Sequence, residues 1–135
     1  AGLKLEGGTN PFASQVAAEW ARSGALASHI QMLRDNYRQK RDRMLAALEA
    51  HMPEGARWTR PEGGFFIWLT LPEGVDASEL SARLAVRGVE VIPGTGFYFS
   101  DRGHNEVRLS YSYPTLDEID AGIEIMGEEI RAALR

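Results

Sequence analysis

The chain has 135 residues, 44% of them hydrophobic and 25% charged, with a net charge of -4 and no cysteine. That composition supports a packed domain and excludes wholesale disorder, disulfides, thiolate metal sites and a cysteine nucleophile. The acidic balance argues against direct nucleic-acid contact, and no apolar run approaches the roughly 20 residues that a membrane helix needs.

The opening "AGLKLEGG" lacks the apolar core of a signal peptide, so the cytoplasm is the expected compartment. It also begins without Met and looks internal, so the chain is expected to be a fragment. The first helix signal follows: Asn10 can cap, and Pro11 takes the first helical position, where its missing N–H matters least. Phe12, Val16, Ala17 and Trp20 share one face, and Ser23-Gly24 ends the helix. A long helix is predicted from about Leu26 to about Met52, stopped by Pro53. Leu26, Ile30, Leu33, Tyr37, Met44, Leu45, Leu48 and Met52 form its apolar stripe, and Arg34 to Arg43 load its middle with positive charge.

The period then changes. "ARWTR" and "FFIWLTL" read as strands joined by the turn "PEGG". The second of these is apolar on both faces, which calls for cover on both sides. Asp76 with Glu79 caps a helix that Gly88 ends, and "VEVIP" is a short strand. Phe65–Ile92 is thus a strand–helix–strand unit whose two strands should run parallel. In "PGTGFY" the G-x-G lacks a third glycine and a following helix, so it reads as a turn with glycines at unusual φ/ψ. "NEVRLSYSY" alternates Val107, Leu109, Tyr111 and Tyr113 with Arg108, Ser110 and Ser112, a strand with one apolar face. Thr115 with Glu118 opens the final helix, carried by Leu116, Ile119, Ile123, Met126, Ile130 and Leu134. The expected fold is α+β: a two-layer small domain over residues 53–135, with a mixed sheet of about four strands and packed helices. Residues 1–52 precede it as a linker and two linking helices.

No nucleophile elbow is present, and His29, His51 and His104 lack metal-ligand spacing, so no metal site is expected. The basic run around Arg34–Arg43 reads as a solvated helix face with i,i+4 pairing. Lys40 within it has no apolar pocket evident from sequence, so it is not taken as a catalytic lysine. Arg108 has two readings from alternation alone. It is an exposed cation on a half-wet sheet, the usual place for Arg. Otherwise it is a rigid carboxylate receptor with small neighbours, Ser110 and Ser112, leaving room above the guanidinium.

"GGTNPFASQVAAEW", "RPEGGFFIWLTLP", "VIPGTGFY" and "NEVRLSYSY" occur in this order. Together they resemble the C-terminal part of fold-type I, pyridoxal-phosphate-dependent aminotransferases of class I/II, with the closest look to the 2-aminoadipate aminotransferase and MocR-like branch. The resemblance covers essentially the whole chain. It implies a domain of an enzyme that moves an amino group between an amino acid and a 2-oxo acid. On that resemblance Arg108 matches the arginine that grips the substrate α-carboxylate, and Phe65 lies near the substrate. Thr9 and Asn10 approach the cofactor or the neighbouring subunit's site. It also implies a homodimer, and an N-terminal large domain that carries the Schiff-base lysine and most groups that hold pyridoxal 5'-phosphate. No segment here resembles the lysine motif. Lys4, after "AGL", is not assigned that role, so no catalytic residue is expected in this chain. A stand-alone α+β module that binds a partner protein or a small acid without catalysis is the alternative, and the parent reading frame discriminates the two.

The chain by itself is expected to show no cofactor absorbance and no transaminase activity after incubation with pyridoxal 5'-phosphate. A borohydride-stable adduct at a single lysine would overturn this expectation.

Overall fold

A computed structural model of the chain describes residues 10–135. The chain divides into two compact units, one ending at Asn36 and the other spanning Tyr37–Arg135. In the first, helix α1 covers Pro11–Arg22. The Asn10 side-chain oxygen accepts from the Phe12 and Ala13 amides at 3.0 and 3.1 Å, which satisfies two of the orphan donors at the helix start. Ser23 ends α1, and Gly24 turns the chain at a φ of 83°, open only to glycine without strain. The predicted stripe is present but no α1 residue is buried; Phe12 is 79% and Val16 53% exposed. Helix α2 covers Ala25–His51, and within this unit Trp20 meets His29 edge-on at 5.6 Å.

The second unit holds the end of α2, strands β1 (Arg57–Trp58) and β2 (Phe66–Thr70), helix α3 (Ala77–Val86) and strand β3 (Ile92–Pro93). A short 3-10 helix (Gly94–Phe97), strand β4 (Glu106–Ser110) and helix α4 (Leu116–Ala133) complete it. The fold is α+β, as the sequence indicates, but the sheet is antiparallel throughout rather than mixed. Its order is β1-β2-β4-β3, and all three pairings are antiparallel. Strands β2 and β3 do run in the same direction, since both oppose β4. The strand–helix–strand pattern fixes those directions, not adjacency, and β4 inserts between the two.

One sheet face is the core. Ile67, Leu69, Val107 and Leu109 join Leu80 and Leu84 of α3, Ile119, Ile123, Met126 and Ile130 of α4, and Met44 and Leu48 of α2 in one buried cluster. Full burial of each such side chain contributes on the order of 2 kcal/mol. The opposite face carries Phe66, Trp68 and Arg108. The two-sided cover that β2 calls for comes there from the aromatics at the end of the 3-10 helix: Phe97 and Tyr98 lie edge-on to Trp68 at 5.4 and 6.4 Å.

Two local expectations change. Neither Gly94 nor Gly96 has a positive φ. Gly94 is required instead by close approach, because a Cβ there would lie 2.7 Å from the Glu106 Cβ and 2.9 Å from the Gly103 carbonyl oxygen. The basic run on α2 is more than a solvated face. Lys40 donates to the carbonyls of Ser112 and Tyr113 at 3.1 and 3.4 Å, Arg41 to those of Pro61 and Glu62 at 3.3 and 3.4 Å, and Arg43 pairs with Asp120. Lys40 and Arg41 hold the loops at one end of β2 and β4, and Arg43 ties α2 to α4. Their partners lie far beyond one helical turn in sequence, so i,i+4 reasoning has no access to them.

Helix α4 begins with the expected capping box. Thr115 and Glu118 exchange side-chain-to-backbone bonds, with the Thr115 amide donating to Glu118 at 2.7 Å. The backbone N–H and then the hydroxyl of Thr115 hold the Glu118 carboxyl below its ordinary range. A lowered folded pKa stabilises above the unfolded value of about 4.3, and that contribution disappears as pH falls through the folded value. Thr115→Ala is expected to lower the thermal midpoint by roughly 4 °C at neutral pH, the scale of a lost N-cap. Part of the difference from the wild-type chain should disappear as the pH drops below about 4, where the Thr115 hydroxyl loses its bond to the Glu118 carboxylate, while the cap bond from the Glu118 amide does not titrate. Calorimetry across that range checks it, and a pH-independent difference would refute the assignment.

Candidate functional site

Antiparallel register sets Arg108 opposite Trp68 of β2 and Ile92 of β3. It therefore stands in the middle of the face away from the core, because Val107 and Leu109 on either side of it point into the core. Its guanidinium carbon lies 4.0 Å from the centroid of the Phe66 ring and 4.5 Å from that of Phe97. Phe66 comes from β2, Phe97 from the end of the 3-10 helix, and Trp68 supports Phe97 edge-on. Two cation–π contacts thus hold a half-buried charge without neutralising it.

Among the described residues, no hydrogen-bond acceptor is paired with Arg108, and no carboxylate lies within ion-pair distance of it. A guanidinium has five N–H donors in one plane. With rings against it, the N–H groups along its edge are what remain to bind. Such an edge suits the two oxygens of a carboxylate, accepted through parallel charge-assisted hydrogen bonds. A cleft of about 410 Å³ opens beside it, bordered by Ser81, Glu90, Ile92, Arg108 and Ser110. The small neighbours are in place: the Ser110 and Ser112 hydroxyls are 3.1 Å apart.

The carboxylate closest along the strand face is that of Glu106, two residues before Arg108 and opposite Thr70. It is engaged elsewhere, accepting from the Tyr98 hydroxyl at 2.7 Å. That hydrogen bond, then burial, then the Glu106 charge raise the Tyr98 phenol above its ordinary pKa, while Arg102, 5.4 Å from the ring, pulls it down.

Phe65 sits just ahead of β2, 46% exposed, edge-on to Tyr37 at 5.0 Å and to Phe66 at 6.5 Å. It is one ring removed from Arg108. Asn10 belongs to the first unit, where its side-chain oxygen is committed to capping α1. Thr9 lies outside the described residues. His104 bonds Asp101 at 2.5 Å, and its carbonyl accepts from the Ala77 amide at 2.6 Å, so its backbone ties the loop to the start of α3. Among the described residues, no three His, Asp or Glu side chains cluster as a metal site would require.

Sequence reasoning does not identify Phe66, Phe97, Tyr98 or Glu106 as part of this cluster. Alternation does place Phe66 and Trp68 on one face of their strand and Arg108 on one face of its own. Bringing them together needs the β2–β4 pairing, which alternation does not contain.

Residues 9–126 match the protein family described as aminotransferase class I and II. Across 94% of its length the chain is 37% identical to aromatic-amino-acid aminotransferase 1 of Thermococcus litoralis, of which it covers 30%. It is 32% identical to the 2-aminoadipate transaminase of Thermus thermophilus, covering 92% of this chain and 31% of that protein. The crystal structure of Pyrococcus horikoshii kynurenine aminotransferase, in complex with PMP, matches with a TM-score of 0.91 at 41% identity. That match covers 98% of this chain and 33% of the other. The chain therefore spans about 30% of the length of the curated relatives it matches.

The Tyr98–Glu106 bond has a spectroscopic consequence. A raised phenol pKa favours the neutral form, so its contribution is intact below about pH 10 and is lost as pH rises through the folded value. Phenolate absorbance, isolated by difference against Tyr98→Phe, should titrate above the ordinary tyrosine range and move down in Glu106→Gln. Identical titration in the two backgrounds would remove Glu106 as the cause.

Proposed function

The chain belongs to the aminotransferase class I and II family, and from that premise we propose that it is the C-terminal domain of a pyridoxal-phosphate-dependent aminotransferase in which Arg108 grips the α-carboxylate of the amino acid or 2-oxo acid. The observation that carries this reading is the half-buried guanidinium of Arg108, lying over Phe66 and Phe97 with no described carboxylate within ion-pair distance.

Among the described residues, none suits the cofactor's covalent anchor. Lys40 is the lysine among the described residues, and its ammonium is committed to the Ser112 and Tyr113 carbonyls. In this reading the anchoring lysine and the phosphate site belong to a large domain upstream, with residues 1–52 leading into the small domain at 53–135. The assembled protein is a homodimer in the cytoplasm, with Thr9 and Asn10 near the cofactor or the partner subunit's site.

The part assigned to this chain is positioning. Arg108 is mounted on a strand whose register is locked by the core, so a carboxylate bound to its edge is held in one orientation. Such placement lowers the barrier by removing orientational freedom before the reaction begins. Phe65 and Phe66 border the substrate from the β2 side. The small Ser110 leaves the approach to the guanidinium edge clear.

Arg108→Lys in the full-length protein is expected to lower kcat/KM about tenfold or more, because an ammonium cannot reproduce two parallel hydrogen bonds. The loss should fall mainly on KM for both amino donor and oxo acceptor. Unchanged kcat/KM in steady-state kinetics would overturn the assignment.

A further inference from the structure

Glu106 and Arg108 share one face of β4, two residues apart, and both side chains are long enough to meet across that spacing. An internal pair between them would compete with any carboxylate that Arg108 is meant to bind. The structure avoids it, since the Glu106 carboxylate accepts from Tyr98 instead.

Tyr98 is well placed to do this. Its ring is set edge-on to Trp68, and its amide closes the 3-10 helix onto the Thr95 carbonyl at 3.4 Å. It also lies so close to Gly103 that a Cβ there would come within 2.8 Å of the ring. Gly94 lets the start of the same helix approach the Glu106 stem. The residue before Tyr98 is Phe97, which stacks on Arg108. One short segment therefore steadies the guanidinium with one side chain and holds back its competitor with the next.

Resting on the reading of Arg108 as the carboxylate receptor, we propose that Tyr98 is a positioning residue that keeps Glu106 off Arg108 and so leaves the guanidinium open to substrate. Tyr98 does not touch the substrate; it acts through Glu106. Removing its hydroxyl frees Glu106 to turn toward Arg108, and the resulting ion pair must be broken each time a substrate carboxylate binds.

The test is steady-state kinetics on the full-length enzyme with Tyr98→Phe, Tyr98→Phe/Glu106→Gln and Arg108→Lys. Tyr98→Phe should raise KM for the amino donor and the oxo acceptor about threefold to fivefold, the strength of a partly exposed ion pair, with kcat within about twofold of wild type. The inhibition constant for phenylacetate, a carboxylate with no amino group, should rise in parallel. The double variant should return both values to within about twofold of wild type, because the neutral amide that replaces the Glu106 carboxylate no longer competes. A purely structural role for Tyr98 predicts the opposite, with the double variant as impaired as the single one or worse. An unaffected Tyr98→Phe, or a defect that adding Glu106→Gln does not relieve, overturns the proposal while an impaired Arg108→Lys leaves the carboxylate assignment standing. An unimpaired Arg108→Lys removes the premise, and the proposal with it.

Discussion

Everything at the candidate site depends on how β2 and β4 are paired. Five consecutive Cα partners, from Phe66 with Ser110 to Thr70 with Glu106, set this register. Beneath it, Ile67 opposes Leu109 and Leu69 opposes Val107, all in the core. A slip of one residue would turn apolar side chains of one strand into solvent and drive Arg108 inward, so burial on one face dictates the geometry on the other. The pairing is extended beyond the strands by the Tyr111 amide on the Phe65 carbonyl at 3.1 Å and by the Tyr111 hydroxyl on the Gly64 carbonyl at 2.8 Å. The anchor is not the sheet alone. Lys40 and Arg41 on α2 hold the carbonyls of the two loops flanking this end of the sheet, one after β4 and one before β2.

The surroundings of Arg108 are chosen against neutralisation. A half-buried cation needs compensation, and a carboxylate would be the stronger partner, but it would also occupy the donors. Aromatic faces contribute about 0.5 to 2 kcal/mol each and leave the N–H edge open. Elsewhere in the same unit, arginines are paired directly: Arg43 with Asp120, Arg60 with Glu49, Arg87 with Glu128 and Glu129. Arg108 is not among these pairs and has two aromatic rings against it instead.

Local chemistry is readable from the residues themselves. Asn10, Asp76 and Thr115 all cap helices as their sequence context indicates, because an N-cap is decided within four residues. Strand and helix identities follow from apolar period. What local pattern does not contain is adjacency. The strand–helix–strand unit carries directions but not the insertion of β4, and from directions alone a mixed sheet is expected. Gly94 reads as a turn glycine, and its reason lies about ten residues away at Glu106 and Gly103. Arg108 is ambiguous for the same cause: its meaning rests on Phe66 and Phe97, both distant in sequence, and alternation sees neither.

That sequence distance does not take the contacts of Arg108 outside one compact unit. The cradle around Arg108 is assembled within Tyr37–Arg135, from two strands and one turn over a single core. Rigid strands, a ring on each of two elements and a closed 3-10 segment fix the guanidinium before any ligand arrives, so little ordering is left for binding to supply. A guanidinium held this way takes its position from the fold alone. The placement of this charge is therefore physical as well as topological: it is set within one unit, by core packing and aromatic contact.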